Sequence, residues 1–238
     1  MKRKLVVIPT FNEKENIEAI VRKVMSLEGN FEILVVDDSS PDGTADIVRS
    51  LQSEFGDRLH LLERKGKLGL ATAYITAFKW SMEHGYDYSF EMDADFSHNP
   101  DDLIRLYNAC ETEGNDVAIG SRYVKGVNVV NWPIGRIIMS YFASVYVRKV
   151  TRMPIMDATA GFICYSKKAL ETLEVDKIRM KGYGFQIEMK FRCWKRGMKI
   201  KEVSIIFTDR TLGTSKMSSG IFGEAFWGVL GLRFRKMK

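Results

Sequence analysis

The sequence predicts an α/β fold: one mostly parallel central sheet with helices on both faces. Three observations carry this. Short apolar segments of strand length alternate with longer segments of helical periodicity through the first half of the chain. The short segments are near-continuous apolar runs, as in parallel strands buried on both faces. Each of the first five is followed by a stretch of polar, charged or turn-forming residues, and ligands of such sheets gather at the carboxyl ends of the strands.

Taken in order, the elements begin with a strand at Leu5–Ile8, then Pro9-Thr10-Phe11-Asn12-Glu13 and a helix over Glu15–Leu27. Asn12 with Glu15 has the spacing of a capping box. The strand Glu32–Val36 runs into Asp37-Asp38-Ser39-Ser40-Pro41-Asp42-Gly43-Thr44, a turn that starts the helix Thr44–Glu54 with Asp42 or Thr44 as its cap. His60–Leu62 is followed by Lys65-Gly66-Lys67-Leu68-Gly69 and the helix Leu70–Glu83. Tyr88–Met92 leads to Asp93-Ala94-Asp95 and the helix Asp101–Glu111, and Val117–Ile119 leads to Gly120-Ser121-Arg122-Tyr123. Right-handed crossovers place all five stretches on one edge. The second half is less regular: an apolar, aromatic helix at Ile134–Val150, a strand at Phe162–Tyr165, a helix near Phe185–Lys195 and a strand at Ile200–Phe207. A basic loop over Asp209–Ser219 and an apolar helix over Ile221–Phe234 follow. With no repeat and no linker, residues 1–238 are expected to form a single domain.

Its 238 residues suit that size, and 45% hydrophobic with 28% charged residues excludes a disordered chain. Cys110, Cys164 and Cys193 are too scattered for a disulfide framework or a zinc site and suit a reducing cytoplasm. The run Leu5–Ile8 stops at Pro9, too short for a signal peptide, and no stretch approaches membrane-spanning length. A net charge of +6 suits acidic partners. Nucleic acid is not expected among them, since no helix-turn-helix, RNP-type strand or zinc finger is present. Dinucleotide, P-loop and serine-hydrolase signatures are missing as well.

Asp93 and Asp95 can hold a hard divalent ion while leaving other coordination positions to diphosphate oxygens, and the ion would neutralise a departing nucleoside diphosphate. Asp38 can accept hydrogen bonds from a base or ribose, while the residues after it also read as an ordinary turn. Pro9, Phe11 and Glu13 fit either one wall of a pocket or a plain strand-to-helix turn. Arg122, Arg136, Arg210 and Lys216 supply cations from separate segments, as two phosphorylated ligands in one site require. Taken singly, each arginine defaults to a solvated surface position. His98 can orient the acidic triplet or serve the turn before Pro100.

These ordered stretches, with Asp157–Gly161, Gly184–Met189 and Asp209–Lys216, resemble the polyprenol (dolichol) phosphate mannose synthases, inverting transferases of the GT-A fold. The resemblance implies a Rossmann-like GT-A domain in which 1–125 binds nucleotide sugar and metal and 126–238 binds acceptor, with C-terminal amphipathic helices at a membrane. It implies a nucleoside pocket lined by Pro9, Phe11, Glu13, Val36 and Asp38, and Mg2+ or Mn2+ on Asp93 and Asp95, with Ala94 against the nucleotide and Ser97 contributing an oxygen. Arg122, Arg136 and Ser140 are then the acceptor-phosphate site, with Arg210 and Lys216 on the donor phosphates; Asp95, Arg122 and Arg136 carry catalysis. Phe11 in place of a frequent tyrosine, Ala71 in place of a glycine and Asp101-Asp102 in place of a glutamate depart from the family pattern without removing a charged catalytic group.

The reaction implied is mannose transfer from GDP-mannose to a polyprenyl phosphate, dolichyl or undecaprenyl, with inversion. Another donor such as UDP-glucose, or a nucleotide-sugar or nucleic-acid-binding module without turnover, are the alternatives. Aromatic residues on Ile134–Val150 and Ile221–Phe234, with the basic tail Arg235, Lys236 and Lys238, suit either packing on the sheet or an interfacial position. The latter would hold a cytoplasmic protein peripherally on the inner face of the membrane.

Overall fold

Alternation along the first strand sets the architecture. Leu5 and Val7 face one core, Val6 and Ile8 the other, and all four are fully buried. The same alternation in Leu34/Val36 against Ile33/Val35, and in Ile163/Tyr165 against Phe162/Cys164, gives one sheet with two apolar faces. The computed structural model describes residues 2–209 and 220–234. Its sheet contains β1 (Lys4–Thr10), β2 (Phe31–Asp37), β3 (Leu59–Glu63), β4 (Tyr88–Glu91), β5 (Val117–Ser121), β7 (Ile163–Ser166) and β8 (Ile200–Ser204). A separate ribbon pairs β6 (Val129–Val130) with β9 (Phe207–Thr208).

The sheet order is β3-β2-β1-β4-β7-β5-β8. All neighbours are parallel except β7, which runs antiparallel to β4 and β5. The mostly parallel sheet expected from the sequence is present, and so is the common carboxyl edge of β1 to β5. Because β7 is reversed, the segment leading into it, residues 157–161, also lies on that edge. Gly120 is where β5 comes close to this segment: a Cβ there would stand 3.1 Å from side-chain carbons of Phe162 and Ile205.

One core is covered by α1 (Ile17–Met25), α2 (Thr44–Phe55) and α4 (Asp102–Glu111), the other by α3 (Leu70–Glu83), α5 (Ile134–Thr151), α6 (Lys167–Leu173), α7 (Gly182–Lys195) and α8 (Gly220–Phe234). Three local expectations are corrected. The capping box does not form: Asn12 is left-handed at φ 57°, and α1 starts only at Ile17. Glu13 instead uses its carbonyl for the amides of Asn16 and Ile17, and its carboxylate for Asn16 Nδ2. The strand expected over Ile200–Phe207 breaks after Ser204, because the next residues leave the sheet to pair with β6 and with Ser97. α6 and β6 were not anticipated; both are too short for a periodic signal.

α5 and α8 each pack on the core with one side and expose apolar residues on another. On α5, Ser144, Val147 and Thr151 are buried, whereas Ile134, Ile138 and Phe142 form an exposed stripe at spacings of four. α8 buries Val229 and Leu232 and leaves Phe226 and Trp227 exposed. Tyr146 joins the two helices, stacking on Phe226 at 4.9 Å and donating to its carbonyl.

Phe90 lies at the centre of the sheet, wholly buried and edge-on to Phe31 at 5.6 Å. Phe90→Ala should cost about 3–5 kcal/mol of stability in urea unfolding; a loss below about 1 kcal/mol would mean that this core closes around the gap.

Candidate active site

The edge is built by cross-links between its loops. Asp37 accepts from the hydroxyls of Thr10 and Ser40 and from the Ser40 amide, joining the ends of β1 and β2. Asp42 accepts from the amide and hydroxyl of Thr44 and from the Lys14 amide, and Thr44 Oγ1 accepts from the Glu13 amide. Gly43 between them has φ 90°, a conformation only glycine adopts without strain. Asp42 therefore has the structural role, beside Asp38.

Asp38 is buried and binds the loop after β3: Oδ1 accepts from Arg64 Nε at 2.6 Å, Oδ2 from the amides of Leu68 and Gly69 at 3.1 and 3.2 Å. The Lys67 ammonium lies 4.6 Å from the centre of the half-buried Phe11 ring. Pro9 pairs in register with Val36, whose side chain is in the core, as is that of Ala94. Pro9, Phe11, Glu13 and Asp38 are thus brought to one corner of the edge, together with Arg64, which sequence reasoning passed over because a lone arginine after a strand has no distinguishing pattern.

At the end of β4, the Asp93 side chain is 43% exposed while Asp95, Ser97 and His98 are buried. Asp95 Oδ1 accepts from the Ser97 amide at 3.1 Å, and Phe96 is left-handed at φ 58°, which tightens the turn. His98 Nδ1 lies 3.2 Å from the Asp93 amide. As the acceptor of that proton the ring is neutral, and burial lowers its pKa to about 4. Phe162 stacks on this ring at 4.8 Å and Phe207 meets it edge-on at 5.4 Å, so His98 orients the acidic turn.

The turn offers two carboxylates and the Ser97 hydroxyl, a buried oxygen with no hydrogen-bond partner among the described residues, that could hold a metal ion. These hard oxygens fit Mg2+ or Mn2+. No cluster of three or more Asp, Glu, His or Cys is found among the described residues.

Arg122, just after β5, is gripped by Asp157: its amide and Nε donate to Oδ2 at 2.9 and 2.7 Å, and Nη2 to Oδ1 at 2.7 Å. Nη2 also donates to Thr159. Burial pushes the Asp157 carboxyl up, but the Arg122 charge and hydrogen bonds outweigh this and hold it below its ordinary range. Arg136 on α5 lies 4.0 Å over the Trp132 ring and donates from Nη1 to both oxygens of Asp209. Arg122 stands 5.6 Å from the same ring and 5.6 Å from Phe207. Ser140 Oγ accepts from Tyr123 at 2.8 Å. Phe207 and Trp132 thus join the acidic turn to both arginines. Arg210 and Lys216 lie outside the described residues.

Beneath the edge, α7 supplies a polar layer. The buried Lys190 ammonium donates to the carbonyls of Ala158, Ala160 and Gln186, and Gln186 donates to the Glu91 carboxylate. Burial lowers the Lys190 pKa to about 8 and raises that of Glu91 to about 8.

The glycosyl transferase family 2 model matches residues 5–174. The chain belongs to that family. It is 43% identical to a polyprenol monophosphomannose synthase of Mycolicibacterium smegmatis over 97% of this chain and 88% of that protein. It is also 43% identical to an undecaprenyl-phosphate mannosyltransferase of Micrococcus luteus, covering 98% of both. Among solved structures, glucosyl-3-phosphoglycerate synthase of Mycobacterium tuberculosis, in complex with Mn2+, UDP and glucosyl-3-phosphoglycerate, superposes with a TM-score of 0.70 at 17% identity over 97% of this chain and 78% of that one. The glycosyltransferase thus has the GT-A type of fold that its motifs resemble.

Removing Asp157 would take from the buried Arg122 the carboxylate that accepts three of its hydrogen bonds. Asp157→Ala should cost about 3–5 kcal/mol in denaturant unfolding. Because the folded carboxyl titrates below its unfolded value, this stabilisation is complete above about pH 4 and is lost as pH falls through the folded pKa. Asp157→Asn should lack that acid-dependent loss; an unchanged acid profile would contradict the pairing.

Proposed function

We propose that this glycosyltransferase moves mannose from GDP-mannose to a polyprenyl phosphate, dolichyl or undecaprenyl, with inversion. The observation that carries this is the meeting on one sheet edge of the two-carboxylate turn and two arginines, joined through Phe207 and Trp132. The names of both curated relatives support the same acceptor class.

In this reading residues 1–125 bind the nucleotide sugar and 126–238 the acceptor. Phe11, Pro9, Glu13 and Asp38 frame the nucleoside, with the Val36 side chain held in the core behind them, and Arg210 and Lys216 contact the donor phosphates. Asp93, Asp95 and Ser97 hold Mg2+ or Mn2+, which when bound offsets charge on the leaving diphosphate. Arg122, Arg136 and Ser140 receive the acceptor phosphate. One of its oxygens attacks the anomeric carbon in line; a new C–O bond forms as the bond to the diphosphate breaks, and the electron pair leaves with GDP. The attacking oxygen is already anionic near neutral pH, so the site needs positioning and charge stabilisation but no strong base.

The acceptor lipid explains the two faces of α5. Arg136 and Ser140 share a side with the buried residues, while Ile134, at 76% exposure, Ile138 and Phe142, at 61%, point the other way. With Trp227 of α8, 72% exposed, these suit the headgroup region of a bilayer. No described helix is long and apolar enough to cross a membrane, so the proposed attachment is peripheral, on the cytoplasmic face.

Asp95→Asn, which keeps side-chain volume, should lower transfer at least about 100-fold with an unchanged melting temperature. Wild-type turnover at saturating Mn2+ would remove Asp95 from the metal site. Flotation with anionic liposomes should retain the wild-type protein and lose most of a folded variant with Ile134, Ile138 and Phe142 changed to serine; equal flotation would exclude this face from membrane binding.

A further inference from the structure

The two arginines are neutralised differently. Arg122 faces a wholly buried carboxylate through several hydrogen bonds, whereas the Arg136–Asp209 pair is partly exposed, at 36% and 27% of the side chains. Arg136 Nη1 stands 2.9 and 3.0 Å from the Asp209 oxygens. Asp209 and Asp95 line the same cavity of about 390 Å³, with Phe96, Ile206 and Thr208. Its backbone is fixed there: the Asp209 amide donates to Val130 and the Thr208 amide to Ser97. A carboxylate beside the proposed acceptor-phosphate position would repel that phosphate if it stayed on Arg136. Two oxygens of a phosphate fit the same guanidinium.

We propose that Asp209 is a placeholder for the acceptor phosphate: its carboxylate fills the anion position of Arg136 and is exchanged for the phosphate when the acceptor arrives. The pair is exposed enough to exchange, as the buried Arg122–Asp157 pair is not. Exchange also makes the site selective. A free phosphate ion has only its charge with which to displace Asp209, whereas a lipid-linked phosphate adds binding energy from its chain. The inference rests on the proposed role of Arg136 in holding the acceptor phosphate.

The test uses the full chain, GDP-mannose and a short-chain polyprenyl phosphate. Asp209→Asn should lower the acceptor KM about two- to fivefold and leave GDP-mannose affinity unchanged by calorimetry. It should also make inorganic phosphate a stronger inhibitor, while Asp209→Glu, which restores the competing charge, returns both values toward wild type. A raised acceptor KM in Asp209→Asn would overturn the proposal in favour of Asp209 orienting Arg136. Unchanged acceptor KM and phosphate inhibition, with Arg136→Ala still raising the acceptor KM, would overturn it while leaving the acceptor site intact. If Arg136→Ala leaves the acceptor KM unaltered, the acceptor-site reading itself fails and the placeholder with it.

Discussion

Asp157 accepts the Arg122 guanidinium and amide while its own amide donates to Glu202 on β8. The carbonyls one and three residues later are collected by Lys190 on α7. One short irregular segment thereby joins β5, β8 and α7 at the edge where the site lies. It is there because β7 is antiparallel: a strand running with its neighbours would have put this segment at the opposite edge of the sheet, and Arg122 would have had no buried anion. The sheet's single reversal and the fixed position of Arg122 are the same fact viewed at two scales.

Three of the charges proposed to meet ligands are balanced by the protein beforehand. Asp38 has Arg64, Arg122 has Asp157 and Arg136 has Asp209. Such balance limits the cost of gathering charge in a partly desolvated site and fixes each group in advance, which is how electrostatic stabilisation of a reaction avoids reorganisation. The pairs are graded. Those of Asp38 and Arg122 are buried, while that of Arg136 is partly exposed, so with the proposed exchange at Asp209 the site combines a rigid floor with one exchangeable contact.

Much of this was legible in the sequence. The five strand-and-loop units from β1 to β5 and the helices between them follow from apolar runs and periodicity, which local sequence records directly. The direction of β7 does not, because Phe162–Tyr165 reads alike whichever way its neighbours run. The false capping box at Asn12 shows a local rule losing to a tertiary one: the Asn12 amide is taken by Ser40 of the neighbouring loop, and the helix waits until Ile17. Asp93, Asp95, Arg122 and Arg136 could be singled out by type and position, but Arg64, Lys190 and Asp209 matter through partners 26 to 73 positions away, and no spacing pattern marks such pairs. The two-faced character of α5 was readable as composition, while which residues face out depended on what packs beneath.

The central claim is that two phosphorylated ligands meet on this edge, one giving up a sugar and the other receiving it. It is tested most directly by incubating the purified protein with radiolabelled GDP-mannose, or in parallel UDP-glucose, and one polyprenyl phosphate with Mn2+ or Mg2+, then following label into the lipid phase. The account predicts a lipid-linked mannosyl phosphate formed one-for-one with GDP, abolished by chelation of the metal and absent without the lipid. Lipid-linked product from UDP-glucose alone would contradict the donor, and no lipid-linked product from either donor with a folded, nucleotide-binding protein would contradict transfer itself.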